Sequence, residues 1–204
     1  MDWLSNHYIE VFGALTGILY VILEIRQSIW LWPLGLITSS VYIWVFFSSK
    51  FYADMGLQTY YVIISIYGWY WWLKGGEKKY DKEVLPVTGI SKRLAIILAA
   101  VFILLFALIW IILVSWTDSP LPLGDAFTTA LSIVATWMLA RKIIEHWILW
   151  VVADLVSMAL YIYKGLYPTV VLFAVYTVMA VIGYYEWRKT MLSSPGSESL
   201  TDCS

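Results

Sequence analysis

EVFGALTGILYVILEIRQSIWLWPLGLITSSVYIWVFFSSKFYADMGLQTYYVIISIYGWYWWLK, residues 10–74, aligns without a gap to DAFTTALSIVATWMLARKIIEHWILWVVADLVSMALYIYKGLYPTVVLFAVYTVMAVIGYYEWRK, residues 125–189, at a constant offset of 115. The identities pair Phe12 with Phe127, Ile18 with Ile133, Arg26 with Arg141, Ile29 with Ile144, Trp32 with Trp147 and Leu34 with Leu149. They continue with Tyr52 and Tyr167, Leu57 and Leu172, Tyr61 and Tyr176, Gly68 and Gly183, Trp72 and Trp187, and Lys74 and Lys189. Rare Trp and Gly residues falling in register are more than a shared apolar composition supplies, so the chain reads as an internal duplication. Internal repeats of membrane helices are an architectural mark of transporters.

Composition fixes the solvent. Hydrophobic residues make up 61% of the chain, aromatics 18% and charged residues 13%, against roughly 25% charged in an ordinary soluble domain. A membrane span takes about 20 apolar residues, and lipid, which cannot hydrogen-bond the backbone, forces such segments to be helices. Seven are expected, at about Ile9–Ile25, Ile29–Phe47, Gly56–Leu73, Leu94–Trp116, Leu123–Ala140, Trp147–Tyr163 and Pro168–Trp187. The fold class is therefore an all-α membrane protein. Residues 1–74 form a first three-helix repeat, 75–93 a cytoplasmic loop, 94–116 a linker helix, 117–189 a second three-helix repeat, and 190–204 a disordered cytoplasmic tail.

Lys and Arg in short loops stay cytoplasmic. Eleven of the 13 basic residues fall on one side: Arg26, then Lys74, Lys78, Lys79, Lys82, Lys92 and Arg93, then Arg141 and Lys142, then Arg188 and Lys189. Lys50 and Lys164 alone fall on the other. This division needs an odd number of spans, with the N-terminus outside and the C-terminus in the cytoplasm. Two triples separated by one helix then start on the same side, which makes the repeats parallel, the 3+1+3 arrangement of SWEET transporters. The unpaired fourth helix, almost without polar atoms, reads as a lipid-facing strut. No basic residue precedes Arg26, so a cleaved signal peptide is not expected. The single Cys203 excludes a disulfide framework or a cysteine metal site. The basic residues are explained by topology, with no nucleic-acid partner implied.

Function is sought where polarity is expensive. Asp154 lies mid-way along the sixth span, where a carboxylate costs about 2.5 to 3.5 kcal/mol on insertion scales. Trp147, Trp150, Asp154, Ser157 and Tyr161 follow at steps of three and four and share one helix face. Aromatic rings flanking a carboxylate suit a cation; a structural bond from Asp154 to a neighbouring Ser, Tyr or Trp is the other reading. The third span offers Gln58, Tyr61, Ser65, Trp69 and Trp72 on one face, and the second offers Trp32, Gly35, Ser39, Tyr42 and Phe46. Ser39 matches Asp154 through the repeat, so the halves diverge at their most polar point. Trp3, Trp30, Trp116 and Trp187 lie near span ends and are expected as interfacial anchors. Gly68 and Gly183 are expected to permit close helix approach or bending.

With QTYYVIISIYGWYWW (Gln58–Trp72) and SIVATWMLARKIIEHWILWVVADLVS (Ser132–Ser157), the chain resembles the PnuC family of bacterial vitamin transporters from its first span to its seventh. The resemblance implies a seven-helix fold in the inner membrane that carries nicotinamide riboside, or in sister branches thiamine, riboflavin or deoxynucleosides. It further implies facilitated diffusion, with a cytoplasmic kinase as a metabolic partner that traps the vitamin. Trp147 and Trp150 match the family's Trp pair and Gln58 its glutamine, whereas members associated with nicotinamide riboside carry Asn where this chain has Asp154 and Ser65. The expected substrate contacts are Trp147, Trp150, Asp154, Ser157, Gln58, Tyr61, Ser65 and Ser39, with no cofactor, no metal and no catalytic residue. No Walker loop, HExxH or nucleophile elbow occurs in the chain. An intramembrane enzyme or a ligand sensor is the competing class, and an enzyme would need at least two convergent reactive groups. Thiamine is the alternative substrate, since it too carries a cationic ring. The sequence leaves homo-oligomerisation open.

Overall fold

The computed structural model describes residues 2–48, 52–74, 85–117 and 119–193, with side chains from Phe12 to Ser48 and from Met55 onward. Seven helices follow in order: α1 (Asp2–Ile25), α2 (Leu31–Ser48), α3 (Tyr52–Lys74), α4 (Lys92–Trp116), α5 (Pro122–Ala140), α6 (His146–Tyr163) and α7 (Tyr167–Ser193). Local chemistry sets their ends. Pro33 and Pro122 sit in first turns, where a missing N–H costs nothing. The Ser91 hydroxyl caps α4 by accepting from the Leu94 amide at 3.3 Å. Gly165, at φ +71°, turns the chain between α6 and α7.

Five helices, α2 and α4 to α7, are long and apolar enough to cross a membrane. In α1 the apolar part is Phe12–Ile25, and the 23 residues of α3 include Tyr and Trp that lower its hydropathy. Two expected boundaries move. The first helix starts at Asp2 rather than near Ile9, and α7 runs on to Ser193, so residues 190–193, expected in a disordered tail, are helical. Both ends extend past the apolar stretch because a helix continues wherever its own hydrogen bonds are made, whatever the solvent. The remainder of the expected tail, with Cys203, and residues 75–84 of the expected loop lie outside the described residues.

The packing follows the sequence offset. Helix α1 packs on α2 and α7, α3 on α2 and α5, α5 on α6, and α6 on α7. Exchanging α1 with α5, α2 with α6 and α3 with α7 returns the same set of contacts. Helix α4 packs on α5 and has no buried residue of its own. Its Leu94, Leu98, Phe102 and Leu105 lie against Val134, Met138 and Ile143, and its other faces are exposed.

The correspondence extends to single bonds. In the α1–α2 turn, Arg26 N–H donates to Ile22, Gln27 to Glu24, Ser28 to Leu23, Leu31 to Ser28 and Trp32 to Ile29; in the α5–α6 turn, Arg141 donates to Trp137, Lys142 to Leu139, Ile143 to Met138, His146 to Ile143 and Trp147 to Ile144. Every pair differs by 115 residues. Gln27 and Lys142 are both left-handed, at φ 52° and 51°, a conformation that non-glycine residues adopt uncommonly. Their side chains meet: Lys142 Nζ donates to Gln27 Oε1 at 3.4 Å.

The core lies at this basic end. Trp32 covers Gly68, where an added Cβ would strike the indole ring, and Trp147 covers Gly183 in the same way. Trp32 and Trp72 meet edge-on with centroids 5.4 Å apart, Trp147 and Trp187 with centroids 5.8 Å apart, and Trp72 and Trp187 join the two sets at 6.4 Å. Trp187 therefore corrects an expectation. It is fully buried and donates from Nε1 to the Glu24 carbonyl at 3.0 Å, because it closes the core from the end of α7 instead of anchoring at an interface. Trp30 and Trp116, 68% and 84% exposed, lie as anchors would, and the Trp3 side chain lies outside those described. Glycines 68 and 183 serve close approach.

From Leu85 to Ser91 the chain preceding α4 runs as an extended strap across the α5–α6 turn. The Thr88 N–H donates to the Lys142 carbonyl and the Thr88 carbonyl accepts from the Ile144 amide, both at 3.0 Å, and Ile90 N–H donates to Glu145 at 3.0 Å. Burial beneath the strap pushes the Lys142 amine down from 10.5 to about 8.

Two outcomes are expected. Gly68→Ala and Gly183→Ala should each lower stability by about 1–3 kcal/mol through overpacking against an indole that cannot move, read as a lower melting temperature in detergent. Between pH 8 and 10.5 the unfolded chain binds a proton at Lys142 that the folded chain does not, so stability should rise with pH across that window. Lys142→Met should abolish that part of the slope in melting measured against pH.

Candidate substrate-binding site

The stripe expected on α6 faces inward: Trp147, Asp154 and Ser157 are buried, Asp154 at 6% exposure, and Trp150 and Tyr161 are half-buried. On α2, Trp32, Gly35 and Ser39 are buried. On α3 the expected face divides: Ser65 and Trp72 are buried, Gln58 and Tyr61 are half-buried, and Trp69 is 39% exposed and turns outward with Ile66 and Tyr70. At about 100° per residue Trp69 lies at the edge of the stripe next to exposed Ile66 and Tyr70, whereas Trp72 one turn on returns to the inner face.

These helices converge through hydroxyls and glycines. Gly35 of α2 leaves room for the Tyr20 ring of α1 and the Ser65 hydroxyl of α3. Ser65 donates to the Tyr61 carbonyl of its own helix at 2.7 Å, so its lone pairs are what it can offer a ligand. Tyr60 donates to the Ile133 carbonyl at 2.8 Å and Tyr61 approaches the Ser132 hydroxyl, tying α3 to α5. The matched Tyr176 places its hydroxyl against Gly17 of α1, and Tyr42 places its own against Gly13. Tyr176 also lies within electrostatic range of both Asp154 and Tyr42.

Asp154 lies within electrostatic range of Glu24 on α1 and Tyr176 on α7, and among the described residues no side chain hydrogen-bonds its carboxyl. The structural bond weighed as the other reading of Asp154 is not among the described contacts. Four indole donors are left over in the same interior: Nε1 of Trp32, Trp72, Trp147 and Trp150 are all buried without a partner. Buried polar groups are nearly always satisfied. The Asp154 carboxyl and the Trp150 indole one turn away bring an acidic group and an aromatic face together, chemistry that suits an aromatic or cationic ligand. Among the described residues no three His, Cys, Asp or Glu side chains come together in a metal-binding group.

The floor of this interior, toward the basic end, was not anticipated. Glu24 of α1 accepts from or donates to His146 of α6 at 3.0 Å, with His146 fully buried and its Nδ1 2.6 Å from the Ile143 carbonyl. His146 packs edge-on to Trp187 and tilted on Trp147, and Glu24 lies within electrostatic range of Asp154. Both residues sit at helix ends, where polar side chains read as boundary markers. The repeat carried the missing signal: Glu24 matches Leu139 and His146 matches Leu31, the same kind of polar-for-apolar exchange that singled out Asp154.

Removing one member should strand the other in the core, so Glu24→Leu and His146→Leu should each cost about 2 kcal/mol or more. The double variant, which copies the leucines of the opposite positions, should cost less than the sum of the two. Melting temperatures of the four proteins give the coupling directly.

Comparison with known proteins adds the following. Residues 7–189 match the family model of the nicotinamide mononucleotide transporter. The riboflavin/roseoflavin transporter RibM of Streptomyces davaonensis is 27% identical over 199 residues, covering 92% of each chain. The nicotinamide riboside transporter PnuC of Escherichia coli is 25% identical over 202 residues, covering 88% of this chain and 84% of its own. A crystal structure of the vitamin B3 transporter PnuC superposes with a TM-score of 0.72 at 25% identity, covering 92% of this chain and 83% of that one.

Proposed function

The chain belongs to the nicotinamide mononucleotide transporter family, and from that premise we propose that it carries nicotinamide riboside across the bacterial inner membrane by facilitated diffusion. The observation that carries the substrate class is Asp154, a buried carboxyl that no side chain among the described residues hydrogen-bonds, one helical turn from Trp150 and its unpartnered indole nitrogen. Nicotinamide riboside brings a permanently cationic aromatic ring. Stacking against Trp with a carboxylate nearby is worth about 2 kcal/mol or more when desolvated. Trp147, Trp150, Asp154 and Ser157 from α6, Gln58, Tyr61 and Ser65 from α3, and Ser39 from α2 make the contacts.

The two triples α1–α3 and α5–α7 are parallel repeats joined by α4, with the N-terminus outside and the basic end in the cytoplasm. The matched turns, the paired Trp–Gly contacts and the lopsided distribution of basic residues support this reading. Rocking of one triple against the other opens the site alternately to each side. Without a coupled ion the gradient alone drives entry, and a cytoplasmic kinase traps the product by phosphorylation. Thiamine is the second reading, because its cationic ring answers the same carboxyl. Riboflavin, named in the RibM relative, is neutral and serves as the control.

Purified protein should bind nicotinamide riboside more tightly than thiamine or riboflavin. Asp154→Asn should weaken both cationic ligands by on the order of tenfold while leaving riboflavin unchanged. Equal binding of the cations by this variant would remove the charge role of Asp154. Vesicles should accumulate labelled vitamin only when loaded with the matching kinase and ATP. Accumulation without kinase would rule out facilitated diffusion, and a sensor or enzyme would give no uptake in either case.

A further inference from the structure

We propose that Gln27 and Lys142 form a latch that closes the basic end of the bundle and parts each time the site opens on that side. The proposal rests on the rocking of two triples described above, and names the contact that the motion must break.

Gln27 and Lys142 occupy the same position in the two triples, adopt the same left-handed backbone, and bond to each other through their side chains at 3.4 Å. Residues equivalent by repeat that touch each other lie at the axis relating the halves. Rocking that opens this end, about an axis crossing the bundle, draws the two halves apart where they meet and so separates this contact.

The chemistry of the pair suits repeated opening better than permanent closure. Lys142 is 3% exposed, yet its amine is held by a neutral amide and by the face of Trp72, with Nζ 4.4 Å from the ring centroid. Gln27 and Trp72 both belong to the opposite triple. A carboxylate partner would make the closed state deep. A cation buried against an amide and a ring gives up hydration that it regains when the halves part. Beside it, Arg141 stacks on Trp71 at 4.1 Å and donates to the Tyr67 hydroxyl at 3.4 Å, so two consecutive cations of one triple rest on indoles of the other. The strap holds the moving piece in shape. Thr88 bonds the Lys142 carbonyl and the Ile144 amide, keeping the left-handed turn intact while its side chain lets go.

The test has two arms on the full-length chain with Cys203→Ser. In the first, Gln27→Cys with Lys142→Cys is reconstituted in vesicles and bridged by a short bis-methanethiosulfonate. Uptake of nicotinamide riboside should fall by tenfold or more, binding to the purified bridged protein should persist, and dithiothreitol should restore uptake; protein treated with methyl methanethiosulfonate, which cannot bridge, should continue to transport. Bridged protein transporting at the unbridged rate overturns the latch. If none of the three vitamins enters even without the bridge, it is the proposed substrate that has failed, and the second arm decides the latch without any substrate. Gln27→Leu with Lys142→Met keeps the contact but removes the hydration gained on opening. Its melting temperature should rise, and backbone hydrogen exchange in residues 22–31 and 139–147 should slow by about tenfold. Unchanged or faster exchange there overturns the proposal.

Discussion

Two indole rings seated on two glycines hold this bundle together. Trp32 on Gly68 and Trp147 on Gly183 bring α2 against α3 and α6 against α7 at distances that any side chain at the glycine would prevent. Between helices in lipid there is little hydrophobic gain, so association rests on van der Waals packing and on small residues that allow it. The two seats are then joined edge to edge through Trp72 and Trp187, and Trp187 is itself pinned to the Glu24 carbonyl. Everything at the basic end, from the His146–Glu24 pair to the Lys142 amine over Trp72, packs on that aromatic frame.

On a scaffold so evenly matched, the departures between the halves stand out. Glu24 faces Leu139 across the repeat, His146 faces Leu31, Asp154 faces Ser39, and Lys142 faces Gln27. All four place a buried charged or titratable group on one side and a neutral or apolar residue on the other. A vitamin has no twofold symmetry, so a site built between matched halves can recognise it only where the match is broken. The polar exchanges run inward from the latch at Lys142 and Gln27, through the Glu24–His146 floor, to the unpaired carboxyl of Asp154.

Much of the site was readable because one helix supplies it. Trp147, Trp150, Asp154 and Ser157 are consecutive turns of α6, and helical periodicity places them together without knowledge of any neighbour. Gln58, Tyr61, Ser65 and Ser39 were chosen by the same periodicity; Ser65 and Ser39 are buried, Gln58 and Tyr61 half-buried, and Trp69, at the edge of its stripe, faces outward. Glu24 and His146 are 122 residues apart in the chain. Tyr20 and Tyr176 gain meaning only by what they approach. No local pattern marks such residues, and only the comparison of the two halves could have done so.

The sequence alone determined the helices, the duplication and the strut-like fourth helix, because lipid leaves the backbone no alternative and because periodicity and charge asymmetry are properties of the chain itself. It also placed Asp154 at a depth where a carboxyl must answer to something. Only the tertiary structure decided that Trp187 belongs to the core, that a strap clamps the α5–α6 turn, that His146 meets Glu24, and that Gln27 and Lys142 touch. Those facts depend on which helices become neighbours, and packing between distant segments is set by the fit of whole surfaces, which no single stretch of sequence contains.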